Sequence, residues 1–217
     1  MSKYTTFFMD LDGTITDSGH AIMSSAQYAL TNLGYGEQPP ELLQKFVGPS
    51  LMDSYQNLLG MSQEEATKAV SLYRSVYEAG KMFEVTVYPG IPEILKTNKK
   101  LGYQTVLVTS KPHLFASQIM EKLGLSSYFD GLCGPEMSDP SSEKVRLIKK
   151  AMKEFSCKQA ECIMIGDTRF DIDGANKAGI DSVGVTYGYG SRQELTDHKA
   201  TYIVDDLLQW FQEKIWS

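Results

Sequence analysis

Two spacings of apolar residues divide the chain. Residues 7–9, 104–108, 162–165, 182–185 and 201–204 form short, largely apolar runs. Such runs suit buried strands of a parallel sheet, whose two faces are both covered. Between them apolar residues recur at helical spacing. That spacing predicts helices over 91–101, 112–123, 144–155 and 170–178, a short helix before residue 201 and a final helix. A short segment at 128–133 lies between the second and third of these. Strands alternating with helices imply a doubly wound parallel α/β sheet, with right-handed crossovers that bring every strand's carboxyl end to one edge.

Residues 16–80 break that alternation. Ile22, Ala26, Ala29, Leu30 and Leu33 sit at helical spacing ahead of a stop at Gly34. Pro39-Pro40 opens a helix over 41–46, which Gly48-Pro49 ends, and 51–59 is a third candidate. Ser62 with Glu65 reads as a capping box that starts a fourth helix reaching about Ala79. No strand is expected in this block. The boundaries that follow are a core of residues 1–15 and 85–217 and an inserted helical cap of residues 16–84, placed above the sheet edge.

Composition narrows the function classes. The 217 residues are 42% hydrophobic, enough for a packed core, and the net charge of −6 argues against a nucleic-acid surface. The three cysteines lack metal or disulfide spacing and read as small buried residues. No apolar run approaches the ~18 residues of a membrane span, and the N-terminal segment lacks the apolar stretch of a signal peptide. A cytoplasmic protein without membrane or nucleic-acid partners is expected.

The polar residues at strand ends carry the chemistry. Asp10 and Asp12 follow the first run, Thr109-Ser110 the second, and Asp167 and Asp171 follow 162–165. One Asp after a strand is ordinarily a helix N-cap. Four carboxylates converging on one edge repel, and buried charge is costly without compensation, so a hard divalent cation such as Mg²⁺ is expected among them. Lys144 stands at the strand-side end of its helix, where the helix dipole disfavours a cation, while Lys149 and Lys150 sit a turn or more along. Lys111 can face either the site or solvent, and Arg169 is expected to neutralise the neighbouring acids. Gly188-Tyr189-Gly190 reads as a turn.

The segment Phe8-Met9-Asp10-Leu11-Asp12-Gly13-Thr14 resembles the first motif of the haloacid dehalogenase superfamily in its phosphatase form. Thr109-Ser110-Lys111-Pro112 is similar to the second motif, Lys144 to the third, and Gly166-Asp167-Thr168-Arg169-Phe170-Asp171 to the fourth. The resemblance implies a Rossmann-like core with a helical cap and a Mg²⁺-dependent phosphatase. In that reading Asp10 is the nucleophile, forming an aspartyl-phosphate, and Asp12 is the general acid and base. Ser110 and Lys144 hold the phosphoryl group, and Asp10, Asp12 (through its carbonyl), Asp167 and Asp171 supply the metal site. Gly13, Thr109 and Lys111 are candidate substrate-binding residues, as is Gly48 in a turn that resembles the cap loop of phosphoglycolate-phosphatase-like members; Arg74, on the last cap helix, is placed either to reach an anionic substrate or to pair with a neighbouring acid.

Within the superfamily, Asp12 disfavours true dehalogenases. Ile22 stands where β-phosphoglucomutases usually carry histidine, with His20 out of register, and residues 16–44 hold no lysine for a Schiff base. The branch resembled is that of phosphoglycolate phosphatases and 5'-nucleotidases, acting on a small phosphorylated metabolite as a monomer or small homo-oligomer. A phosphosugar mutase or phosphotransferase and a pyrophosphatase are the alternatives.

Overall fold

The computed structural model describes residues 2–138 and 143–217. The chain runs β1 (Thr6–Met9), β2 (Thr16–Asp17), α1 (Gly19–Asn32), α2 (Pro40–Gln44), α3 (Leu51–Leu59) and α4 (Gln63–Glu78). It continues through β3 (Thr86–Val87), α5 (Ile91–Leu101), β4 (Gln104–Val108), α6 (His113–Lys122), β5 (Gly131–Cys133) and α7 (Lys144–Glu154). It closes with β6 (Cys162–Gly166), α8 (Arg169–Ala178), β7 (Asp181–Val185), α9 (Arg192–Asp197), β8 (Tyr202–Val204) and α10 (Leu207–Lys214).

Six strands form one parallel sheet in the order β5-β4-β1-β6-β7-β8. β1 lies centrally, with Met9 in register with Leu107 on one side and Ile165 on the other. The chain therefore leaves β1 at the point where the strand order reverses, where ligands bind in open α/β sheets. Successive β1 side chains point to opposite faces. Phe7 packs with Tyr103 and Phe211 on one face. Phe8 joins Leu147, Ile148 and Ala175, from α7 and α8, on the other. Both faces are covered, which is why the β1 run is continuously apolar.

Helices α1 to α4 lie between the two passes of chain at β2 and β3, with α1 packed along α4. The Ser62–Glu65 capping box forms, each residue's side chain accepting from the other's backbone N–H. The expectation of no strand between 16 and 80 needs correction. Thr16–Asp17 pairs antiparallel with Thr86–Val87, tying the outgoing and returning chain together. Two residues are too few to carry a period, and their partner is remote in sequence. No helix among the described residues is long and apolar enough to cross a membrane.

Candidate active site

β1 ends at Met9, and Asp10 follows with its N–H bonded to Ile165 O at 3.0 Å. The next residues turn tightly, with the Gly13 and Thr16 N–H groups donating to Thr16 O and Leu11 O. Gly13 has φ +83°, a left-handed conformation that favours glycine. A Cβ there would lie 2.1 Å from Asp167 Oδ2, so the missing side chain also admits that carboxylate. Gly166 does the same for Asp171, whose Cγ would lie 2.1 Å from an added Cβ.

These close approaches gather three buried acids. One oxygen from each of Asp10, Asp167 and Asp171 lies within 4.8 Å of the others. Lys144, the first residue of α7, reaches into the cluster, its Nζ 2.8 Å from Asp10 Oδ1 and 2.8 Å from Asp171 Oδ1 and donating to Val108 O at 3.1 Å. The alternatives Lys149 and Lys150 are exposed. Burial opposes the Lys144 charge, but Asp10 and Asp171 hold its pKa above the ordinary lysine range. Burial pushes Asp10 up to about 6 against the pull of Lys144. Asp167 is raised well above the carboxylate range, first by burial and then by Asp171 and Asp10.

One lysine leaves this trio under-compensated. Asp171 Oδ2 accepts from Thr168 N and Oγ1, and its buried Oδ1 shares the Lys144 ammonium with Asp10. Asp167 is held by Tyr189 N–H at 2.8 Å and by the Thr14 hydroxyl at 3.3 Å. An all-oxygen, buried cluster of three carboxylates with one lysine among them fits a hard divalent cation such as Mg²⁺. The Asp12 carboxylate is not part of it.

Asp12 faces another way. Its Oδ1 accepts from the Ser18 hydroxyl at 2.6 Å and its Oδ2 lies 3.2 Å from Lys111 Nζ. Lys111 therefore faces inward, its side chain 7% exposed. It also donates to Tyr77 Oη of α4 at 2.6 Å, with its ammonium 4.9 Å from the ring centre. Burial opposes the Lys111 charge, and Asp12 then Tyr77 raise its pKa above the usual lysine value.

The remaining expected residues fall around two cavities that meet at Gly48-Pro49-Ser50. Gly48 and Ser110 line both, and Arg74 lines the one bounded by Asp12 and Lys111. Thr109 is buried, and its hydroxyl accepts from Lys111 N at 3.2 Å.

One expectation is corrected and one is extended. Arg169 does not neutralise the motif acids. It is exposed, stacks over Phe170 and lies 3.6 Å from Glu194, because the acids are buried beneath the start of α8 while its own side chain leaves the surface. Gly188-Tyr189-Gly190 is more than a turn. A Cβ on Gly188 or Gly190 would meet Asp167 at 2.3 Å or 2.1 Å. Tyr189 Oη accepts from Ser18 N at 2.9 Å and Gly19 N at 2.5 Å and donates to Asp17 at 2.6 Å. The paired glycines around one aromatic were the available signal of a close backbone approach.

A family model described as haloacid dehalogenase-like hydrolase matches residues 7–185. The chain is 34% identical over 205 residues to a 5'-nucleotidase of Pseudomonas aeruginosa, covering 94% of this chain and 93% of that protein. It is 28% identical over 206 residues to a phosphoglycolate phosphatase of Vibrio parahaemolyticus, covering 91% and 90%. Among solved structures, a predicted phosphatase from Clostridium acetobutylicum matches with a TM-score of 0.93 and 38% identity over 99% of each chain.

Proposed function

The chain belongs to the haloacid dehalogenase-like hydrolase family as one of its phosphatases, and from that premise we propose that it hydrolyses small phosphomonoesters through a covalent Asp10 intermediate with Mg²⁺. The observation that carries the reading is the division of labour around β1. Asp10 is fixed among Lys144, Asp167 and Asp171, while Asp12 turns away to a second lysine at the edge of a cavity.

In the first step an Asp10 carboxylate oxygen bonds to phosphorus, the bond from phosphorus to the alcohol oxygen breaks, and Asp12 delivers a proton to that oxygen. In the second, Asp12 takes a proton from water as the water oxygen bonds to phosphorus. The Asp10–phosphorus bond breaks, releasing inorganic phosphate and restoring the carboxylate. Lys144 and Ser110 bind phosphoryl oxygens, and Lys144 keeps Asp10 aimed. Asp10, Asp167, Asp171 and the Asp12 carbonyl are the residues to hold Mg²⁺, which supplies neutralisation of phosphoryl charge when bound. Residues 16–84 act as a cap that excludes water during the first step.

The names carried by the relatives make nucleoside 5'-monophosphates and phosphoglycolate the first substrates to try. The reading is tested with p-nitrophenyl phosphate and Mg²⁺. The wild type is expected to release phosphate continuously, and Asp10→Asn to fall to the uncatalysed rate. Equal activity in the two proteins, or activity indifferent to chelation of the metal, overturns it.

A further inference from the structure

Two cavities open on either side of Gly48-Pro49-Ser50, and only one holds the general acid. The cavity of about 720 Å³ is bounded by Asp12 and Lys111, whereas the cavity of about 1240 Å³ is bounded by Lys144 and Thr168 and does not reach Asp12. A general acid must lie within hydrogen-bond reach of the oxygen it protonates. The departing alcohol therefore belongs in the cavity of Asp12.

That cavity contains two inward cations in different states. Lys111 is committed to Asp12 and to Tyr77. Arg74 is not. Among the described residues no carboxylate pairs with its guanidinium, and its Nε is shut off from water without a hydrogen-bond partner. Glu78 and Glu136 also line this cavity, but both are exposed, where hydration and salt screen them. Beside Arg74, Tyr73 and Tyr77 stack with ring centres 5.1 Å apart and form an apolar wall. Arg74 is half-buried, and a buried Nε that lacks an acceptor is costly unless a ligand supplies one. The planar guanidinium fork matches carboxylate or phosphate.

We infer that Arg74 takes a second anionic group, carried on the leaving alcohol of the substrate, and so makes this enzyme selective for phosphomonoesters whose leaving group is itself charged. The inference rests on the phosphatase reading above.

The test is a ratio, measured with the full chain and Mg²⁺. Phosphoglycolate is compared with ethyl phosphate for a carboxylate, and ethylene glycol bisphosphate with ethylene glycol monophosphate for a second phosphate. The wild type is expected to favour one charged member in kcat/KM, and the pair that shows it identifies which anion is read. Arg74→Gln is expected to collapse that ratio by about 10-fold or more, the scale of a hydrogen bond to a charged group. Arg74→Lys, which keeps the charge and loses the fork, is expected to fall between and carries the test if the glutamine variant does not fold. Ratios near one in the wild type, ratios unmoved by either variant, or a preference for a nucleoside monophosphate that Arg74→Gln removes would each overturn the inference. Failure of the phosphatase reading looks different, because no substrate would then be hydrolysed in an Asp10-dependent way.

Discussion

At the scale of single residues, the site is made by absent side chains as much as by present ones. Gly13, Gly166, Gly188 and Gly190 let backbone close on Asp167 and Asp171 to distances that no Cβ would permit. Gly13→Ala is the sharpest case, since it adds a clash with Asp167 to a φ of +83°. The left-handed strain and the overpacking together predict a cost of about 2–4 kcal/mol. Urea melts measure the cost, and titration of Mg²⁺ against intrinsic fluorescence should show weaker binding as well. An unchanged Mg²⁺ affinity would show that Asp167 is not held by this contact. The glycines themselves were legible in the sequence. The carboxylate each one admits was not, because Asp167 and Gly13 meet only when β6 lies beside β1.

At the scale of elements, the loop after β7 connects parts that the sequence leaves separate. Tyr189 donates its amide N–H to Asp167 and its hydroxyl to Asp17, and that hydroxyl accepts from the N–H groups of Ser18 and Gly19, at the point where the chain leaves for α1. Ser18 in turn donates to Asp12. One aromatic thus spans from a candidate metal acid to the support of the candidate general acid. Tyr189→Phe keeps the ring and the amide and removes the hydroxyl. It is expected to cost about 1–3 kcal/mol and to speed amide hydrogen exchange at Ser18 and Gly19. Unaltered exchange at those two amides would remove the clasp from the account. The same loop read as a plain turn from sequence, since turn residues announce a bend and not what the bend leans on. Arg169 misled in the opposite way. Its neighbours along the chain are acids, but the start of α8 sends its side chain outward to Glu194.

At the scale of the whole molecule, burying three acids beside one lysine makes stability depend on pH and metal. Burial raises Asp10 from 3.8 to about 6 and raises Asp167 in the same direction. For an acid whose folded pKa is raised, the favourable contribution is complete below the unfolded value and is lost as pH climbs through the folded one. Metal-free protein is therefore expected to melt several degrees higher near pH 5 than near pH 7.5. Mg²⁺ is expected to stabilise most at the higher pH, where the carboxylates are ionised. Asp10→Asn should flatten the metal-free slope, because one titrating acid is gone. Thermal melts in chelator and in Mg²⁺ across this range decide it, and a metal-free Tm that rises toward pH 7.5 would contradict the buried-acid account.

The sequence by itself determined the alternation of strands and helices, the helical stretch after the first strand, and the acids at the strand ends. Those features are local: apolar period, caps, breakers and the residue types that end each run. The resemblance to the family's third motif called for a lysine, and the place of Lys144 at the strand-side end of its helix chose it over Lys149 and Lys150. Only the tertiary structure decided the partners. It turned Lys111 inward to Asp12 and Tyr77, set Tyr189 between Asp167 and the exit to α1, paired β2 with β3, and placed Arg74 in the cavity of Asp12 with no carboxylate partner among the described residues. Each of these depends on groups far apart in the chain meeting at one sheet edge. Local pattern sets which side chains arrive there, and packing sets which of them touch.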